Sequence, residues 1–212
     1  MSTTATLEEA GGMTGPDTKK ARRAMIDSQL RTSGVNDEST LARMLAVARE
    51  DFLPADKAPL AYIDRAVPLG PTVEAGAMAS PLFYGKLLIE AAPRADDRVL
   101  VVENGTGYLA ELLRPMVAAL EVTSAAEAAA GTIPDGGDYS LVVIDGAIEQ
   151  LPDSLAARVA DNGRIVGGLL LRQVTRLASG RKVAGRVAFM PVEDMGIPRL
   201  PAFDAPKGWS FS

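Results

Sequence analysis

The chain has 212 residues, 47% apolar and 23% charged, a balance that suits one globular domain with a sizeable core. A formal charge of −5 and a pI near 4.9 give no general pull toward nucleic acid or anionic lipid, which needs a Lys/Arg excess. With no cysteine and no histidine, disulfides, thiol nucleophiles, Cys/His metal sites and histidine base chemistry are excluded, and acid/base work falls to carboxylates, Lys or Tyr.

Residues 1–18 are small and polar, too poor in large apolar groups to offset ordering entropy, and read as a disordered tail without a signal-peptide pattern. No run of some ~18 apolar residues follows, so no membrane span is expected and the chain reads as cytoplasmic. From Lys19 the spacing of Ala21, Met25, Ile26 and Leu30 predicts a helix that ends near Ser33-Gly34. A second helix starts on Asp37 or Ser39 as cap, carries Leu41, Met44, Leu45 and Val47, and runs through REDFLPAD with Pro54 as the stop. The stretch from Lys57 to Ala77 is irregular. A third helix begins at Ser80-Pro81 and buries Leu82, Phe83, Leu87, Leu88 and Ile89.

The pattern then changes. RVLVV, ending at Val102, is a short continuous apolar run, as expected of a strand covered on both faces. A helix from Tyr108 to about Ala118, a second strand in ALEVTSA and a third in LVVID (141–145) follow. ADNGRIVGGLL supplies a helix end, a glycine turn and a fourth strand. This alternation predicts a Rossmann-like, doubly wound α/β fold with a mostly parallel sheet in a three-layer α/β/α arrangement. RQVTRLASGRKVAGRVAFM reads as a late antiparallel hairpin with Ser179-Gly180 at its turn. One domain, 19–212, is expected, with a helical part over 19–92 and a sheet part over 93–212.

The stretch VLVVENGTGY, residues 99–108, has the shape of a strand feeding a nucleotide-binding turn. Gly105 and Gly107 permit positive φ and close backbone approach, but Glu103 stands at the first glycine position, where it would crowd a ligand carboxylate. An acid to hold ribose hydroxyls belongs some ~20 residues past the glycines, and Thr123 and Ser124 stand there instead. Ser124 reads either as a weak ribose contact or as the cap of the next helix. Two strand–helix crossovers need at least ~10–12 residues each. The span from Gly107 to Asp145 is short for both, and AAEAAAGTIPDGGDY offers almost no apolar residue besides Ile133. One helix is therefore expected to be very short and the outer strand missing or vestigial. Asp145 follows a buried strand at its carboxyl edge, where open sheets bind ligands.

Taken together, these pieces resemble the protein-L-isoaspartate O-methyltransferase family. The resemblance rests on Met25-Ile26-Asp27-Ser28-Gln29-Leu30-Arg31, on Arg49-Glu50-Asp51-Phe52-Leu53-Pro54, on Ala61-Tyr62-Ile63-Asp64-Arg65, on Val99 to Leu113, and on Gly163-Arg164-Ile165-Val166 with Val187 to Met190. It spans roughly Ala21 to Met190. It implies a class I methyltransferase fold that binds S-adenosylmethionine and methylates isoaspartyl carboxylates in damaged proteins; the ester then collapses to a succinimide and restores some normal aspartate. It places cofactor contacts at Glu103, Gly105, Thr106, Gly107, Ser124 and Asp145, and the catalytic side at Ser80 and Asp64, with no metal.

Against the family's pattern, the hydroxyl-bearing loop before the third helix reads Ala77-Met78-Ala79-Ser80-Pro81, with Ala79 at the position of the key serine. Ser80 reads as its substitute or as a helix cap. Asp64 and Arg65 read as the substrate side or as a surface ion pair, Tyr108 as packing core, and Trp209 as a docking residue or part of a loose terminus. Three functions stay open: an isoaspartyl methyltransferase of full or reduced activity acting on damaged proteins or peptides; a catalytically inactive relative serving as a binding or regulatory module for another protein; and a methyltransferase for a different small substrate. A truncated sheet edge leaves backbone that a second copy could cover, so a homodimer is among the expectations.

Overall fold

The computed structural model describes residues 15–134 and 137–205. Residues 1–14 of the tail expected over 1–18, and Trp209, lie outside them, while residues 15–18 of that expected tail are helical. The first helix, α1, spans Gly15–Met25, so it starts four residues ahead of Lys19, and the chain continues through a wide π turn over Ile26–Leu30 and a 3-10 turn over Arg31–Ser33. Gly34 ends it in the left-handed region, at φ 85°. Helix α2, Glu38–Ala46, is capped by Asp37, whose carboxylate accepts from Thr40 N at 2.8 Å. It stops well before Pro54, at an extended Val47, and a 3-10 turn over Arg49–Phe52 follows. That early stop turns the Arg49 side chain inward, where it is fully buried.

Two short antiparallel strands, β1 (Val67–Pro68) and β2 (Ala77–Met78), bracket a strap over 69–76. Helix α3, Pro81–Ala91, has Ser80 as its cap and Pro81 in the first turn. The core-facing set is Phe83, Tyr84, Leu87 and Leu88. Leu45 on α2 and Ile89 on α3, the latter expected inside, face solvent at 40% and 39% exposure, because only one stripe of each helix meets the core.

The sheet is built from β3 (Arg98–Glu103), β4 (Ala119–Ser124), β5 (Tyr139–Ile148), β6 (Val159–Leu171), β7 (Val174–Val183) and β8 (Arg186–Asp194). The order is β4-β3-β5-β6-β7-β8, parallel as far as β6 and antiparallel beyond. Helix α4, Tyr108–Leu113, ends earlier than expected, with a Pro115-containing 3-10 turn after it. Helix α5, Ala125–Ala129, is one turn long, and α6 spans Asp153–Arg158. β4 is an edge strand. Among the described residues no strand lies outside β4, so the short helix and missing outer strand stand as expected from the shortened span.

Alternate residues of the strands face opposite layers. Val99, Val101, Leu141 and Val143 pack on the side of the N-terminal helices, α3 and α4, while Leu100, Val102, Val142 and Ile144 pack with Ala128 of α5 and Leu155 of α6. The three-layer α/β/α arrangement holds. β6 begins directly after α6, before the glycine turn at Gly163, and steps around a bulge before Arg164.

The late antiparallel part differs from a single hairpin. Ser179-Gly180 lies in the middle of β7, paired with Met190 and Phe189. The reversals are at Arg172-Gln173 (φ 50° and 66°) and Ala184-Gly185 (φ 50° and 77°). Positive φ at both residues is the type I′ pattern that matches strand twist, which no residue within β7 adopts. Gly180 instead admits a close neighbour: a Cβ there would stand 2.9 Å from the Ala188 carbonyl oxygen. Among the described residues no helix is long and apolar enough to cross a membrane.

Candidate active site

The sheet runs from β3 outward to β4 and then returns past β3 to β5, so its order reverses between β3 and β5, the crevice where doubly wound folds bind ligands. Three of the sequence-predicted residues meet in one row on this side of the sheet, although Asp145, expected to follow its strand, lies inside β5, which continues to Ile148 by pairing with β6 after a register shift. Glu103 pairs with Ser124 across β3 and β4, and it stands one step beyond the Val102–Ile144 pair, beside Asp145 of β5.

After Glu103 the chain turns through Asn104, Gly105, Thr106 and Gly107. Both glycines lie in the left-handed region, at φ 93° and 74°. The Glu103 side chain reaches under the turn: one carboxylate oxygen accepts from Gly107 N at 2.8 Å and the other from Ala110 N at 3.4 Å. Thr106 Oγ1 accepts from Tyr108 N at 3.2 Å. The strap closes the other side. Leu69 Cδ1 would lie 3.2 Å from a Cβ on Gly105, and a Cβ on Gly76 would stand 2.3 Å from the Asn104 carbonyl oxygen, so only glycine lets the strap approach. A Cβ on Gly107 meets nothing, so that face is open.

Glu103 and Asp145 form a buried acid pair. Burial raises the Asp145 carboxyl well above the usual range and the Glu103 charge adds to it, while the Tyr84 hydroxyl opposes by donating to Asp145 Oδ2 at 3.2 Å. Burial also raises Glu103, partly offset by its two backbone N–H donors. Asp145 Oδ1 and Asn104 Nδ2 are buried without a partner.

Two residues that the sequence did not single out, Tyr84 and Arg49, tie this row to the loop before α3. Tyr84 accepts from Ala79 N at 3.2 Å while donating to Asp145. The Arg49 guanidinium lies 5.2 Å and 4.9 Å from the Tyr84 and Tyr108 ring centroids and donates to the carbonyls of Ala61 (2.7 Å) and Ala79 (2.8 Å). It thereby fixes the two segments that carry Asp64 and Ser80. Only its place in the REDFLP motif marks it in the sequence.

Ser80 and Asp64 meet in a second region. With Arg65, Leu82, Thr175 and Ile197 they line a cleft of about 490 Å³. Ser80 Oγ also accepts from Phe83 N at 3.2 Å, so the cap is real and the hydroxyl still borders the cleft. Asp64 and Arg65 are both exposed. A neighbouring cavity of about 400 Å³ shares Pro198 with the cleft and reaches Gly76 and Asn104. The segment around Pro198 is held by Ala147 N, which donates to the Pro198 carbonyl at 2.7 Å, and by Leu200 N on Ala147 O at 2.9 Å. Substrate-side and turn residues thus lie in two adjoining hollows. Ser124 sits in a complete capping box with Glu127, which accepts from Ser124 N (2.9 Å) and from its hydroxyl (2.8 Å), so its cap role is occupied. Tyr108 is fully buried, as read for core.

A family model described as protein-L-isoaspartate(D-aspartate) O-methyltransferase matches residues 20–133. The chain is 33% identical over 207 residues to a protein-L-isoaspartate O-methyltransferase of Methylorubrum populi, across 82% of this chain and 96% of that one. It is 30% identical over 198 residues to the protein of that name from Koribacter versatilis, across 82% and 87%. Its fold is similar to that of a Plasmodium falciparum protein of the same family name crystallised with S-adenosyl-L-homocysteine, with a TM-score of 0.64 at 15% identity and coverage of 84% and 97%.

Proposed function

The chain belongs to the protein-L-isoaspartate O-methyltransferase family, and from that premise we propose that it transfers a methyl group from S-adenosylmethionine to the carboxylate of isoaspartyl residues in damaged proteins. The observation that carries this reading is the glycine turn. Gly105 and Gly107 keep positive φ at the switch point of the sheet, the face at Gly107 is open, and Asp145 Oδ1 and Asn104 Nδ2 are buried polar atoms with no partner. A turn of that shape beside unpaired polar groups fits a nucleoside ligand with an amino-acid arm.

When bound, S-adenosylmethionine supplies an electrophilic methyl carbon on a sulfonium; the C–S electron pair stays on sulfur, the new bond forms to carboxylate oxygen, and no proton moves. A chain without histidine or cysteine can therefore run this reaction, because its nucleophile is already ionised at neutral pH. The protein's share is binding, orientation and exclusion of water. In this reading Gly105, Thr106 and Gly107 let the cofactor approach their backbone closely, Ser124 flanks it at the end of β4 and Asp145 from within β5, and Glu103 limits one end of the site. Ser80 and Asp64 face the peptide in the cleft, and Arg65 draws the substrate carboxylate toward them. Arg49 keeps both segments in place without touching substrate.

The test is incubation with methyl-labelled S-adenosylmethionine and an isoaspartyl peptide. Base-labile label should enter that peptide and not its aspartyl twin. No label above blank at high protein concentration would overturn the reading. A second reading, a family member without turnover that serves as a binding module, is favoured by the engagement of Glu103 with the turn's own N–H groups. In either reading a second copy could pair along the open edge of β4, where Val122 is exposed.

A further inference from the structure

The geometry points to Glu103 as the residue that decides which cofactor groups this site recognises: it takes up the Gly107 N–H of the glycine turn and the Ala110 N–H of α4, and so opposes docking of a ligand carboxylate there. The inference rests on the reading that the turn faces a nucleoside with an amino-acid arm.

Backbone N–H groups at a glycine turn are a common dock for the anionic part of a ligand. Here Gly107 N and Ala110 N already donate to the two oxygens of one side chain, and that side chain is 8% exposed. A ligand carboxylate entering the turn would have to displace an internal carboxylate from a closed position, and it would do so beside Asp145, which register places next to Glu103. A third carboxylate would add like charge to a pair whose ionisation burial already opposes. The cation that acts on the row is Arg49, whose charge opposes the rise at Asp145; two of its nitrogens donate to the carbonyls of Ala61 and Ala79 behind the rings of Tyr84 and Tyr108, and its Nη1 is buried without a partner. A cationic group meets the opposite situation. Asp145 Oδ1 is fully buried with no donor, so an ammonium has an acceptor waiting. The row as built thus favours the ammonium and nucleoside ends of the cofactor and leaves the carboxylate without the N–H donors of Gly107 and Ala110.

Isothermal titration of the full chain with S-adenosylhomocysteine and with its decarboxylated amine analogue tests this. The two ligands differ only in the carboxylate. The wild type should bind them within about threefold of each other, or prefer the amine. Glu103→Gly frees the N–H donors, and S-adenosylhomocysteine should then gain about tenfold or more over the amine, as a regained charge-assisted contact would give. Glu103→Gln keeps an acceptor oxygen over Gly107 and drops the charge, so it should fall between; it also serves if the glycine variant melts too low to titrate. The inference fails if the wild type already prefers S-adenosylhomocysteine by tenfold, or if Glu103→Gly shifts both ligands equally. If neither ligand binds the wild type or either variant, the cofactor reading of the turn falls and this inference with it. Binding of S-adenosylhomocysteine by Glu103→Gly alone would support it.

Discussion

At residue 103 a strand that is apolar to its last position delivers a carboxylate into the closed interior of a turn. Burial raises the Glu103 carboxyl, and the N–H donors of Gly107 and Ala110 recover only part of the cost. With its pKa raised above the unfolded value of about 4.3, the native state holds the proton more tightly, so the stability Glu103 contributes is full below that pH and is lost as pH rises through the folded value. Removing the charge while keeping the acceptor should therefore help at neutral pH. Glu103→Gln is expected to stabilise the fold by roughly 1 kcal/mol, or about 2–4 °C in a molecule of this size. Melting curves at pH 7.5 and near pH 4 check it: the gain should be present at the first and shrink at the second, and a less stable variant at pH 7.5 refutes it. The sequence shows that Glu103 is out of place among glycines. It cannot show that the side chain turns back onto its own loop, or that Asp145 stands beside it, since that neighbour comes from strand register. Arg49 was hidden for the same reason: its partners are carbonyls 12 and 30 positions away, and carbonyls carry no sequence signature.

Elements were legible where periodicity or caps specify them, and less so where a turn depends on φ alone. The capping role of Ser80 and the identity of β3 follow from residue types. The reversals of the late sheet do not. Arg172-Gln173 has no glycine, and Ala184-Gly185 has one only at its second position, while Ser179-Gly180 resembles a turn and is strand. A close cross-strand contact requires the glycine at 180, a cause invisible without the partner strand. Ala184, at φ 50°, bears the left-handed cost that an L-residue with a Cβ carries, and type I′ turns favour Asn-Gly. Ala184→Asn should stabilise the protein by roughly 0.5–1 kcal/mol, because asparagine tolerates that region. Urea denaturation would show a higher midpoint at unchanged slope, and an unchanged or lower midpoint would count against a type I′ turn there.

At the scale of the whole molecule the α/β alternation and the family motifs disclose the layers, but not how the last residues fold back over β5 to make the two hollows. That closure depends on Gly146, where a Cβ would meet Leu200 at 2.7 Å, and on hydrogen bonds to backbone alone. The opposite, amino-terminal edge of the sheet is tied by Asp97. Its carboxylate accepts from Arg94 N (2.8 Å) and Ser140 Oγ (2.7 Å) and pairs with Arg164, which also donates to Ala92 O at 2.8 Å. Its own carbonyl accepts from Ala118 N at 3.0 Å, so one residue joins the end of α3 to β3, β4, β5 and β6. Burial pushes the Asp97 carboxyl up, but the hydrogen bonds from Ser140, Arg94 N and Arg164, with the Arg164 charge, outweigh it and hold it below the usual value. The sign is thus opposite to that of Glu103: the stability is present above the unfolded value of about 3.9 and is lost as pH falls through the folded one. Asp97→Asn should cost roughly 1–3 kcal/mol at pH 7, since it leaves a nearly buried Arg164 with a weaker partner. The deficit should narrow as the wild type is acidified. Measured together, Asp97→Asn and Glu103→Gln should bracket the wild type at neutral pH, one below it and one above, and both should approach it in acid. An Asp97→Asn protein that unfolds with the wild type at pH 7 would mean that the strand and helix ends it joins are held in place without it.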